Sequence, residues 1–270
     1  MKKHLVIGDT QVKPGISLAY LSWIGKYIVD KQPDVIVMIG DFADMPSLSS
    51  YDTGKKSFEG RTYKADIRAA TKGMDTLLAP MHALNKRLLK AKKKQYKPKM
   101  VLTMGNHEQR IKTAIEYDRK LDGLISFDDL QYKESGWDVI PFLEVKEIDG
   151  VAYSHYFASG VMGRPVTSAN ALLTKKHMSC VAGHQQGHSI AYGQDATGKQ
   201  MTAIISGSCY LHDEDYLSHQ TNQHWRGLYM LHNVENGSFD ECAIPLHLSL
   251  IHISEPTRLL SISYAVFCLK

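Results

Sequence analysis

"HLVIGDTQVKPGISLAYLSWIGKYIVDKQPDVIVMIGD", residues 4–41, reads as strand, helix, strand. Residues 4–9 are a short aliphatic run that breaks at Gly8. Residues 17–32 carry apolar side chains at helical spacing, and Pro33 stops that helix. A second aliphatic run, 34–41, again ends in Gly-Asp. Such a β-α-β unit implies parallel strands joined by a right-handed crossover. Asp9 and Asp41 then emerge at the carboxyl ends of neighbouring strands, the edge where α/β sheets bind ligands.

Outward from this unit, residues 42–63 are rich in Gly, Ser and charge and read as a loop over that edge. A long helical pattern runs from about Lys64 to Lys94, with a bend expected near Pro80. A third strand, 99–106, ends in Gly-Asn, and a helix begins directly at Glu108. From Trp137 the pattern turns to hairpins, with turns at Asp149-Gly150, near Thr197-Gly198 and at Asn236-Gly237. A helix at 167–177 and a strand at 179–184 lie between them. The expected architecture is α/β, two mixed β-sheets packed face to face and flanked by helices.

The chain has 270 residues and 43% hydrophobic content, enough for the core of one large domain. It lacks an apolar stretch of about 18 residues, and its N-terminal apolar run is too short for a signal peptide. A cytoplasmic protein with no membrane partner is therefore expected; oligomeric state is not legible. The four cysteines show no CxxC spacing, which argues against a structural zinc site. Net charge is only +4, but "KRLLKAKKKQYKPK", residues 86–99, holds eight basic residues and no acid. Its ordinary reading is a solvated helix end whose lysines complement the helix dipole, and its other reading is an electrostatic footprint for a polyanion.

The final stretch, 248–270, follows neither strand alternation nor helical periodicity. Back-translated, LSLIHISEPTR and ISYAVFCLK can be written as the ends of adapters used in sequencing libraries. We therefore expect residues 248–270 to be a non-native tail and 1–247 to be a single domain.

Five strand ends carry polar residues: Asp9 with Gln11, Asp41 with Asp44, Asn106 with His107, His155, and His184 with Gln186 and His188. Any one of these alone reads as a helix cap or turn residue. Together they supply the donor types that hold divalent cations, delivered from one kind of edge.

In order, "GDTQ", "GDFAD", "GNHE", "YSHY" and "GHQQGH" resemble the motifs of calcineurin-like metallophosphoesterases, over residues 4 to about 188. The family pattern is D-x-H, G-D-x-x-D, G-N-H-D/E, H and G-H-x-H. The resemblance implies a sandwich of two mixed sheets and a two-metal site bridged by Asp41. One ion would take Asp41, Asn106, His155 and His184. The other would take Asp9, Asp41 and two histidines, whose places here are held by Gln11 and Gln186. Both departures fall on one metal, and each exchanges an imidazole nitrogen for a neutral amide oxygen. The expected cofactors are thus two divalent ions among Mn, Mg, Fe and Zn, the first position favouring Mn or Mg. A rival reading has His188 curl back to replace Gln186, with Gly187 permitting the turn.

By the same resemblance the activity is hydrolysis of a phosphomonoester or phosphodiester by metal-bound hydroxide. His107 would protonate the leaving oxygen, Asp44 would orient His107, and Arg110 and His188 would contact phosphate. A nucleic-acid or nucleotide substrate is one branch, on account of the basic run and the 42–63 loop. The competing reading is a non-catalytic binding module that keeps the fold, against which His107 and the complete second donor set argue. An unrelated α/β hydrolase is disfavoured because no G-x-S-x-G elbow is present.

Overall fold

A computed structural model describes residues 1–214 and 224–247. The stretch expected to be a non-native tail, 248–270, lies outside the described residues. Four layers are seen: two helices, a six-stranded sheet, a five-stranded sheet, and a third helix.

The first sheet is built on the opening unit. β1 (Lys2–Ile7) and β2 (Val35–Met38) pair in parallel, and α1 (Ala19–Lys31) crosses between them. α1 stops at Gln32, whose left-handed backbone lets its N–H return to the Ile28 carbonyl, just before Pro33. β3 (Lys99–Thr103) and β4 (Asp138–Ile140) extend the parallel set. On the other side β12 (Gly227–Glu235) pairs antiparallel with β1, and β13 (Ser238–Pro245) closes the edge. The fourth parallel strand, β4, was not expected; the sequence there suggested only the onset of hairpins.

β1, β2 and β3 are buried on both faces, which is why they read as unbroken aliphatic runs. Leu5, Ile7, Ile36, Met38 and Leu102 pack against α1 and α2 (Tyr63–Lys90). Val6, Val35, Val37, Ile39 and Val101 face the second sheet. α2 passes through Pro80 as one helix, and it ends four residues before the expected Lys94. At Gly25 the two helices approach so closely that an added Cβ would collide with the Leu77 carbonyl oxygen.

The second sheet runs in the order β10 (His188–Gln194), β11 (Gln200–Ser206), β9 (Cys180–Ala182), β6 (Val151–Ser154), β5 (Lys146–Ile148). Its centre, β11, β9 and β6, is parallel, and hairpins at 149–150 and 195–199 form its edges. α4 (Ala169–Lys176), capped by the Ser168 side chain, covers its outer face; α3 (Arg110–Tyr117) follows the third strand of the first sheet. β7 (Ala158–Ser159) and β8 (Arg164–Pro165) make a small separate ribbon. The 42–63 segment contains three short 3-10 turns.

Buried His4 ties the sheets together: Nδ1 meets the Tyr153 hydroxyl at 2.8 Å and Nε2 meets Asp149 at 3.0 Å. No helix among the described residues is long and apolar enough to cross a membrane. Gly25→Ala should push α1 from α2 and destabilise the fold by about 1–3 kcal/mol, read as a lower urea midpoint at unchanged slope.

Candidate metal and catalytic site

The parallel centres of both sheets end at the same pole, so β1, β2, β3, β6 and β9 deliver Asp9, Asp41, Asn106, His155 and His184 to one place. Asp41, His155 and His184 each offer a ligand atom, all lying within 4.8 Å of one another. Asn106 Oδ1 joins them, 2.9 Å from His155 Nε2 and 2.8 Å from His184 Nδ1. Asp41 Oδ2 stands 3.4 Å from His155 Nε2. Donor atoms that share an ion at about 2.1 Å stand about 3.0–3.4 Å apart, so this set fits one divalent cation.

The motif glycines are explained by this crowding. A Cβ on Gly105 would fall onto Asp41 Oδ1 and the Asp41 nitrogen, and one on Gly183 would come 2.5 Å from Asp9 Oδ1. Gln11, Asp41 and His184 all have left-handed backbone, with φ of 43°, 49° and 66°. Non-glycine residues rarely adopt it, and such strain gathers at functional sites.

Nδ1 of His155 is 2.9 Å from the Ile39 carbonyl, and donating there leaves Nε2 as the nitrogen presented to the other donors. Burial lowers the His155 pKa, but the Asp41 and Asp9 charges outweigh it and raise it to about 10. Burial and the neighbouring His155 lower that of His184 to about 4, which keeps it a neutral ligand. Burial, joined by the charge of Asp41, raises Asp9 to about 7. Burial also opposes ionisation of Asp41, yet His107 and His155 hold it well below the usual carboxylate range.

Beside this set, His107 Nδ1 meets Asp44 Oδ1 at 2.7 Å. Burial depresses the His107 pKa, but Asp41 and Asp44 prevail and the net shift is upward. Asp44 itself is held down to about 2: burial acts against ionisation, but the bond from His107 and the charges of Lys13 and Arg110 override it. Arg110 is fixed at the mouth by Asp44, donating to its carbonyl at 2.7 Å, and its Nη2 lies 3.2 Å from His107 Nε2.

Gln11 and Gln186 differ from one another. Gln11 is fully buried beside the cleft, and neither its amide oxygen nor its nitrogen has a protein partner. Such an amide suits a donor role toward a bound ion. Gln186 also lines the cleft, but its Oε1 accepts from the hydroxyls of Ser208 and Tyr210, both at 2.6 Å, and that oxygen is engaged within the protein. His188 stands apart. It opens β10 with Nδ1 2.9 Å from the Tyr229 hydroxyl and its ring on Trp225, and it does not line the cleft, so neither its ligand role nor its phosphate role gains support.

Three residues were missed by sequence reasoning. Glu108, read as the start of a helix, is buried: Oε2 accepts from the backbone N–H of Asp41 and Gly105, and Oε1 from Ala43 and the Tyr132 hydroxyl. Lys13 lies 2.5 Å from Glu214 and 3.4 Å from Asp44 Oδ2; its place two residues after Gln11 was a signal, whereas nothing pointed to Glu214. The cleft holds about 920 Å³, and residues 46–66 form its outer wall.

The family model described as calcineurin-like phosphoesterase matches residues 2–167. The chain is also similar to the Gene 54 protein of Mycobacterium phage L5, at 26% identity over 208 residues, 71% of this chain and 74% of the relative.

Glu108→Gln would set an amide N–H against donors on either oxygen. It should destabilise the fold by about 2–4 kcal/mol, with a matching fall in melting temperature. A melting temperature within a degree or so of wild type would show that the clamp is dispensable.

Proposed function

The chain belongs to the calcineurin-like phosphoesterase family, and from that premise we propose that it is a metal-dependent hydrolase of phosphate esters. The observation that carries this reading is the Asp41, Asn106, His155 and His184 cluster beside the His107–Asp44 pair, with His155 buried behind the cleft that the others line. When bound, divalent ions polarise phosphoryl oxygen and lower the pKa of water, which is the chemistry such esters require.

The chain's own residues supply the rest. Asp44 holds Nδ1 of His107, so Nε2 faces the donor cluster, 3.7 Å from Asp41 Oδ2. Asp41 and Asp44 favour the protonated imidazole, and in that form Nε2 carries the proton that passes to the departing ester oxygen. Arg110, anchored at Asp44, offers its guanidinium to a phosphate entering the cleft.

The complete donor set holds one ion tightly. The first position draws on Asp9 and the uncommitted Gln11 amide, oxygen donors that suit Mn or Mg better than zinc. Purified protein should therefore retain about one equivalent of metal and take up a second only under Mn loading. Two tightly bound zinc ions would contradict this assignment.

Activity is tested on an aryl phosphate and a bis-aryl phosphodiester with Mn added. His107→Ala should lower turnover by about 10²–10⁴-fold while the metal-induced rise in melting temperature persists. Failure of the wild-type protein to turn over either compound, with no such rise, would instead favour a binding module.

A further inference from the structure

The run at 86–99 lies far from the catalytic cleft. Its last lysine, Lys99, opens β3, whose other end leads to Asn106, about 20 Å away along the strand. Lys86, Arg87 and Lys90 are on the final turns of α2, whereas Lys92, Lys93, Lys94 and Lys97 lie beyond the helix. A helix-dipole role therefore accounts for three of the eight charges at most.

We propose that this pole is a docking surface for the phosphate backbone of nucleic acid. All eight basic residues are exposed, and no described carboxylate forms an ion pair with any of them. The sequence has no acid between Asp75 and Glu108. Of the chain's 32 basic residues these are eight; the other 24 face 28 acids, so the rest of the chain is net acidic. The charge is segregated, which gives a local field far stronger than a net +4 suggests.

The lysines are displayed on a pinned loop. The Asn85 side chain bonds both the N–H and the carbonyl of Tyr96 at 2.8 Å. The Tyr96 hydroxyl reaches the Pro33 carbonyl at 2.6 Å, locking the loop onto the α1–β2 junction. Lys3 and Lys31 lie at the same pole, with Lys3 Nζ on the Lys31 carbonyl at 2.6 Å, but Lys31 is paired with Asp30 and Asp34 bonds the Lys3 N–H, so the excess charge comes from the run itself. A loop that is already pinned loses little backbone freedom on binding a polyanion. Membrane-seating surfaces couple their cations to an apolar face, and here Leu89 is the single exposed large hydrophobic within the run. The proposal does not depend on the catalytic reading.

Fluorescence anisotropy of a labelled duplex of about 20 base pairs tests it, with salt raised from about 50 to 200 mM. The full chain should bind, and log affinity should fall against log salt with a slope of about −4 or steeper, as for five or more phosphates neutralised. Changing Lys92→Glu, Lys93→Glu and Lys94→Glu together should weaken binding at least about tenfold and flatten the slope by about 3. Unchanged melting temperature and metal uptake would show that the variant is folded. Lys120→Glu with Lys175→Glu, placed on other surfaces, should leave most of the binding intact. No binding at the lowest salt, equal losses in both variants, or binding to phosphatidylserine vesicles but not to the duplex would each overturn the proposal.

Discussion

The buried carboxylate of Glu108 sets the geometry on which the site depends. Three backbone N–H groups from two separate strand ends, at Asp41, Ala43 and Gly105, converge on its two oxygens, with the Tyr132 hydroxyl as a fourth donor. Donors freed by a chain leaving its sheet would otherwise be buried and unsatisfied. By collecting them on one side chain, the protein holds Asp41 in a left-handed conformation and brings the loop bearing Asn106 and His107 against it. Donor positions at a metal site must be fixed to fractions of an ångström, and this clamp joins the two loops that carry Asp41 and Asn106.

Much of the fold was legible because its elements are strongly patterned. The β-α-β opening, the third strand and the three Gly-containing turns are local signals, and each corresponds to an element of the structure. β4 was not legible. It is three residues long, with Ile140 alone fully inside, and its pairing with β3 is a tertiary event that leaves little periodicity. The overextended end of α2 has a related cause. Lysines are good helix formers, so propensity continued the helix after core-facing residues had run out.

Asp9, Asp41, Asn106 and His184 could be read in sequence because each follows a glycine at a strand end where an added Cβ would collide; His155 has no such glycine. Their neighbours could not. The hydroxyls that engage Gln186 come from Ser208 and Tyr210, beyond β11, and Lys13 meets a glutamate 201 positions away. Such partners are set by how the two sheets stack, which no local spacing encodes. The two glutamines look equivalent in sequence; the fold makes them different, one amide left uncommitted and the other fastened by hydroxyls.

The left-handed backbone at Gln11 bears on how readily this position can change its side chain. Histidine, asparagine and aspartate tolerate that conformation better than most side chains, whereas glutamine gains no comparable local support. The backbone there is one that histidine adopts more readily than glutamine. Glutamine and histidine codons differ by a single base, so an oxygen donor and a nitrogen donor are neighbouring alternatives on an unchanged scaffold. An exchange of glutamine for histidine at this position is therefore one point substitution away and asks nothing new of the backbone.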